Sequence, residues 1–242
     1  MSEATPPAEV FPGAALARAG LNRHAVFDLA HIPPEILATL GELALPAAGF
    51  RQLILIGHGG KALWDAVRQA GNGGPDPIDD YTRQTVEAWF ASALPGRRHA
   101  ILYPGPQPVA LQQLGALVGW HHATPFMLGI DEEWGSWWAY RAAVLADSDF
   151  APFPAVDRSR SERHPCAPCS ARPCIAACPA GAMADGRFAL QKCVAYRRQP
   201  DSPCAHTCLA RVACPVGSAH RYDSEQLRHC YAISLQTIRE HY

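Results

Sequence analysis

Eight of the nine cysteines fall in the stretch from Cys166 to Pro215: Cys166, Cys169, Cys174, Cys178, Cys193, Cys204, Cys208 and Cys214. The 165 residues before them contain none. Thiols at this density serve either as metal ligands or as disulfides, and the redox compartment decides between the two. The first twenty residues, MSEATPPAEVFPGAALARAG, have no basic segment leading into an apolar core, so no secretory signal is expected. No run approaches the ~18 apolar residues of a membrane span. A cytoplasmic location is therefore expected, where thiols are kept reduced, and reduced thiols in a cluster read as metal ligands.

The spacing is C-x2-C-x4-C-x3-C-P, then the isolated Cys193, then C-x3-C-x5-C-P. A bacterial ferredoxin run is C-x2-C-x2-C-x3-C-P, and its fourth cysteine ligates the other cluster. The first half differs from that run by two extra residues before Cys174. Eight thiolates make two sets of four, as two [4Fe–4S] clusters require. Under the crossed arrangement Cys166, Cys169, Cys174 and Cys214 hold one cluster, while Cys178, Cys193, Cys204 and Cys208 hold the other. Two four-cysteine zinc sites would need the same ligand count. Zinc motifs usually show paired C-x2-C knuckles, and only Cys166/Cys169 has that form. His206 reads as a solvated neighbour, and Cys230, alone on a C-terminal helix, as a small buried hydrophobe.

The elements that must position these thiols are legible in outline. Residues 1–20 are Pro- and Ala-rich and read as an extended surface segment. A short apolar run (Ala25–Leu29) leads to Pro33-Pro34, which suits a helix start. Arg51–Gly57 (RQLILIG) is a continuous apolar run and reads as a buried strand, followed by a Gly-rich turn and a helix closing near Gly71. NGGPDPIDD reads as a loop, Tyr81–Leu94 as an amphipathic helix with Val86, Trp89, Phe90 and Leu94 on one face, and His99–Gly105 as a second buried strand. Gln107–Val118 reads as a helix and Phe126–Asp131 as a third strand or strand end. The pattern after Gly135 fits a strand or a helix. This alternation predicts an α/β (α+β) domain over 1–155. The polar bridge PFPAVDRSRSERHP separates it from a small ferredoxin-like 4Fe–4S domain over 160–222. A C-terminal helix over 223–242 docks through Leu227, Tyr231, Ile233, Leu235 and Ile238.

The cysteine segment resembles the iron–sulfur domain of epoxyqueuosine reductase, a cobalamin-dependent tRNA-modification enzyme family. The shared features are C-x2-C…C-x3-C-P-A-x-A (Cys166–Ala182), the isolated cysteine of KCVAY (Lys192–Tyr196), and the closing cysteines with C-P (Cys204–Pro215). Upstream, Gly119-Trp120 and Glu133-Trp134-Gly135-Ser136-Trp137 look like that family's Gly-Trp-x-Gly-Lys segment and its Glu-Tyr-Gly-Ser-Trp turn. The likeness spans about residues 100–215 and extends to ferredoxin-like 4Fe–4S proteins of the same group. It implies two [4Fe–4S] clusters, an α/β domain of the cobalamin-binding kind, and a corrinoid as candidate cofactor. His121 and His122 stand where the family has Gly-Lys, and Tyr103 falls where it has a general-acid aspartate. A phenol with an ordinary pKa near ~10 is a poor donor in place of a carboxylic acid, so epoxyqueuosine reduction itself is not expected.

Net charge is −1, and no basic field argues for nucleic acid or an anionic membrane. Gly57–Lys61 (GHGGK) lacks the spacing of a phosphate loop and reads as a tight strand–helix turn, with anion or cofactor-tail binding the alternative. Trp120, His121 and His122 are the candidate cofactor-contacting residues, with at most one of the adjacent histidines serving as an axial ligand. Trp134, Trp137 and Trp138 line either a flat cofactor pocket or a core. Two functions from different classes follow. One is an oxidoreductase or electron carrier whose clusters exchange electrons with an unidentified redox partner protein and a cofactor or substrate in the N-terminal domain. The other is a protein-binding module with structural zinc or structural clusters.

Overall fold

The computed structural model describes residues 9–41, 49–71, 74–153, 164–184 and 187–242. Most of the polar bridge, residues 154–163, and the N-terminal eight residues lie outside these. By contacts the described chain falls into two compact units. One comprises residues 1–118 and 139–158, the other 119–138 and 159–242. The sequence boundary near 155 differs from this in one respect: Gly119–Trp138 keeps company with the cysteines. No local signal marks that assignment, because it depends on packing between turns far apart in sequence.

The first unit is built on a four-stranded sheet in the order β1-β2-β6-β3, from β1 (Arg23–Asp28), β2 (Gln52–Gly59), β3 (His99–Tyr103) and β6 (Trp138–Ala146). Trp138, the first residue of β6, groups with the second unit. All eight residues of β2 are buried, which explains why it reads as an unbroken apolar run and not as an alternating one. β1 and β2 are antiparallel, with Ala25 opposite Leu55, and β3 and β6 are antiparallel with Ala100 opposite Leu145. The unit is therefore α+β in its pairing and not the parallel sheet that strand–helix alternation brings to mind. The ambiguous segment after Gly135 is strand β6. Its Ala142–Ala146 run is fully buried, so two-sided burial hides the alternation.

Helices α1 (Ala14–Arg18), α2 (Pro34–Leu37), α3 (Ala62–Ala70), α4 (Pro77–Ala93) and α5 (Leu111–Leu117) complete the unit. α1 corrects the extended reading of residues 1–20, since Leu16 is fully buried and anchors a short turn of helix. α4 starts four residues earlier than expected. Proline at its first position needs no N–H partner, and Asp79 and Asp80 in its first turn suit the helix N-terminus. Ile78, Thr82, Val86, Trp89 and Phe90 form its buried stripe. The GHGGK stretch is strand as far as Gly59, with Gly60-Lys61 turning into α3. His58 is fully buried and accepts a hydrogen bond from Arg141 Nε at 3.0 Å.

The second unit holds the hairpin β4 (His122–Ala123) and β5 (Gly129–Ile130), then α6 (Pro173–Ala176), α7 (Leu190–Arg197), α8 (Leu209–Ala213) and α9 (Ser224–His241). The strand expected over Phe126–Asp131 shrinks to two residues. The Thr124 hydroxyl donates to Leu128 O at 2.6 Å and accepts from Leu128 N at 3.2 Å, closing a turn where the strand would have begun. α9 starts at Asp223, whose carboxylate accepts from Gln226 N at 2.8 Å. On α9 Leu235 is buried, Leu227, Tyr231 and Ile238 are half-buried, and Ile233 is exposed instead of docking.

Candidate metal centre

Two short helices organise the thiols. Cys174 lies within α6, and Cys178 follows two residues past its end, where Pro179 prevents further helix. Cys208 and Cys214 are the N-cap and C-cap of α8. α6 and α8 pack against one another. Cys193 sits on α7 and Cys204 in the loop that follows it. Phe126, Ile130, Cys174, Met183, Ala210 and Cys214 form one buried apolar cluster, and Cys166, Cys178 and Cys208 pack on its edge. All eight are free thiols.

Electrostatic neighbourhood divides them. The Cys166 thiol is pushed up by burial and then by Cys214, Cys174 and Cys169. Cys174 is pushed up by burial, then by Cys214 and Cys169, against an opposing N–H from Ile175. Burial also raises Cys214, opposed by the Val216 N–H; Cys169 adds to the rise. In the other set, burial raises Cys193, followed by Cys208, Cys178 and Cys204, with Arg197 opposing. Cys204 rises through burial, opposed by the Leu209 N–H, and then through Cys208 and Cys178. The thiols that act on each of these five all come from its own set. By these influences Cys166, Cys169, Cys174 and Cys214 associate with one another, and Cys178, Cys193, Cys204 and Cys208 with one another. Each helix has one cysteine in each set: α6 through Cys174 and the trailing Cys178, α8 through its two caps.

The second set lines a cavity of about 320 Å³. All four of its thiols reach that cavity, whose remaining wall is largely apolar and includes Phe188, Val194 and Ile238. Among the described residues no group of three or more His, Cys, Asp or Glu is drawn close enough to hold a single metal ion. A tetrahedral zinc site needs four sulfurs at ≈ 2.3 Å from one point. A cubane places its four thiolates on four separate irons, so it asks for a wider set around a volume. The four-thiol cavity fits that demand.

The shell around the thiols is ordered. His164, two residues before the first cysteine, accepts from Cys166 N through Nδ1 at 3.1 Å, and its Nε2 lies 3.0 Å from Ala123 O. Those two bonds require the Nε2–H tautomer and tie β4 to the first cysteine loop. Sequence reasoning passed over His164; its place beside Cys166 was the available signal. The turn Trp134-Gly135 lies against Val216-Gly217, just past Cys214. Arg211, buried on α8, donates to the Ser136 carbonyl and sits 4.3 Å from the centre of the Trp137 ring and 4.8 Å from that of Tyr222. Trp137 and Trp138 are core, at 0% and 7% exposure. His206 is exposed, and Cys230 is half-buried on α9.

The fold is similar to that of epoxyqueuosine reductases. One such structure, from Bacillus subtilis with its catalytic loop swung out of the active site, has a TM-score of 0.51 at 12% identity, covering 87% of this chain and 66% of that one. Another, with an epoxyqueuosine-modified tRNA stem loop, has a TM-score of 0.52 at 12% identity, covering 89% and 66%. The chain thus spans just under two thirds of the length of either reductase. No family model matches the sequence, and no curated protein matches it.

The candidate cofactor residues Trp120, His121 and His122 fall in the cysteine unit and not in the N-terminal one. Trp120 is buried. His122, on β4, is 8% exposed with its ring 5.3 Å from that of His164. Burial lowers its pKa, as does His164, and burial followed by His122 lowers that of His121. Both imidazoles are thus held towards the neutral, ligand-competent form, and His121 is the less buried of the two. In the N-terminal unit, burial raises the Tyr103 phenol, with Arg141 opposing and Asp79 adding. The Asp79 carboxyl is itself raised by burial, with Arg141 Nη1 3.8 Å away. Asp79 was not singled out from the sequence, where it looks like any acidic residue in a first turn of helix.

Tyr231 tests the reality of the packing round the second set. Its phenol is pushed up to about 12, first by burial. Its raised folded value means that the folded protein keeps a proton the unfolded chain has lost. The stabilisation is fully present below about pH 10 and is lost as pH rises towards about 12. Melting temperature measured across that window should fall more steeply for the wild type than for Tyr231→Phe. Parallel curves would show that the phenol is not buried.

Proposed function

We propose that the chain is an iron–sulfur redox protein carrying two [4Fe–4S] clusters, passing electrons between a donor protein and a cofactor or substrate held by the N-terminal unit. The observation that carries this reading is the cavity of about 320 Å³ with Cys178, Cys193, Cys204 and Cys208 on its wall. Cys166, Cys169, Cys174 and Cys214 are the proposed ligands of the other cluster. When bound, such clusters supply one-electron oxidation and reduction at potentials set by burial and by hydrogen bonds to sulfur.

This chain's own residues do the rest. The apolar cluster around Phe126, Ile130 and Met183 keeps water from the thiols. N–H groups of Ile175, Val216 and Leu209 point at the sulfurs of Cys174, Cys214 and Cys204 and favour their thiolate forms. His164 holds the first cysteine loop to β4. A corrinoid is the proposed acceptor. Tyr103 at the acid position, its proton held more tightly by burial, argues against epoxyqueuosine as the substrate. A cytoplasmic setting, where thiols stay reduced, suits the ligand role.

Metal analysis of anaerobically purified protein tests this. The expected sample is brown, absorbs broadly near ~400 nm and carries about eight irons per chain. A colourless sample with stoichiometric zinc would sink the electron-transfer reading in favour of a structural module. Cobalamin titration of the same sample tests the acceptor: no spectral change with oxidised or reduced cobalamin removes the corrinoid and leaves the clusters standing.

A further inference from the structure

The two sets of thiols face different cations. Arg197, at the end of α7, is only 7% exposed. Its Nε donates to Cys204 O at 3.1 Å, Nη1 to Ser234 Oγ at 3.0 Å and Nη2 to Tyr231 O at 3.1 Å. Its guanidinium carbon lies 5.3 Å from the centre of the Tyr231 ring. It is also part of the wall of the cavity that Cys178, Cys193, Cys204 and Cys208 share. Among the described residues, none of its hydrogen bonds goes to a carboxylate. A buried cation without a counter-ion is costly, and breaking such an arrangement is among the larger destabilisations known. In a cluster-loaded site, thiolates in that cavity would be the compensating charge.

Buried Arg211 lies on α8 between Cys208 and Cys214, one thiol of each set, and so does not distinguish them; the cations particular to the first set are Arg172 and Arg221, the latter with Nη2 3.5 Å from Cys214 O. Both are exposed. Water and salt screen an exposed charge, whereas a buried one acts at lower effective dielectric. Gaining an electron makes a site more negative, so a nearby unscreened cation favours the reduced state. Resting on the two-cluster reading above, we propose that Arg197 makes the second site, Cys178/Cys193/Cys204/Cys208, the higher-potential of the two. An electron supplied by a low-potential one-electron donor settles there first, and the first site takes the next.

A dithionite titration of anaerobic wild-type protein, followed by electron paramagnetic resonance, should resolve two one-electron midpoints. Cys178→Ser should abolish the upper one. Arg197→Gln should lower the upper midpoint by at least tenfold in the reduction equilibrium, about 59 mV for a one-electron couple, and leave the lower in place. Arg197→Lys, which keeps the charge, should hold it near the wild-type value. The assignment is overturned if Cys178→Ser removes the lower midpoint and keeps the upper, if the wild-type midpoints coincide, or if Arg197→Gln moves both equally or neither. Should Arg197→Gln lose half its iron, the lysine variant carries the test: a tenfold fall in its upper midpoint overturns the role of the charge. Protein with no iron at all would instead refute the two-cluster reading itself.

Discussion

Replacing Cys178 by serine is expected to cut the iron content from about eight atoms to about four or fewer and to lower the melting temperature of the whole cysteine unit. The residue belongs with Cys193 and Cys204 electrostatically. Its backbone, however, trails from α6, which carries Cys174 of the other set. The Cys178 N–H bonds back to Ile175 O at 3.2 Å, so disorder at the empty site is transmitted to the end of that helix. Where metal binding is coupled to folding, losing a site is a loss of folding free energy. Iron analysis and thermal melting by circular dichroism measure the two effects. Clean loss of half the iron, with the remaining site spectroscopically undisturbed and the melting temperature unchanged, would mean that the sets are wired independently.

A methyl group at Gly135 should be nearly as damaging, though it touches no thiol. Gly135 has φ +59°, and a Cβ there would fall on the Val216 carbonyl. Gly217, at φ +64°, meets the backbone of Trp134 in the same way. The two turns are in backbone-to-backbone contact, one inside the Glu133–Trp137 segment and the other immediately after Cys214-Pro215. Gly135→Ala therefore combines left-handed strain with a clash that no side-chain rotation relieves, for about 3–5 kcal/mol. Gly181→Ala separates the two causes. Its φ is +57° but nothing lies within 4 Å of the added Cβ, so only strain of about 1–2 kcal/mol applies. Denaturant unfolding of both variants compares them, and equal losses would show that the two turns do not press together.

This contact also explains what was and was not legible in the residues. Gly135 could be read as a turn, because glycine marks turns. That the turn braces the last cysteine loop depends on two segments about eighty residues apart meeting, and no local pattern records such a meeting. The same holds for Arg211 against Ser136 and Trp137 and for His164 against Ala123. The N-terminal unit follows a similar rule. β2 was clear from its apolar run, whereas β6 was ambiguous because its last five residues are buried on both faces. The Phe126–Asp131 stretch gives strand only over Gly129–Ile130, because the Thr124 hydroxyl captures Leu128 and turns the chain first.

By itself the sequence determined the chemistry on offer: eight clustered cysteines, a proline after Cys178 and another after Cys214, and a spacing that divides into two sets of four. Those are properties of residue type and order, and thiolate chemistry does not wait on the fold. Only the tertiary structure decided that the four thiols of one set share a cavity. It also decided which cations each set meets, and that residues 119–137 group with the cysteines and not with the sheet. Burial and electrostatic reach are set by what packs against a group from elsewhere in the chain. Arg197 is an unremarkable basic residue in YRRQ until α7, the Cys204 loop and α9 close round it.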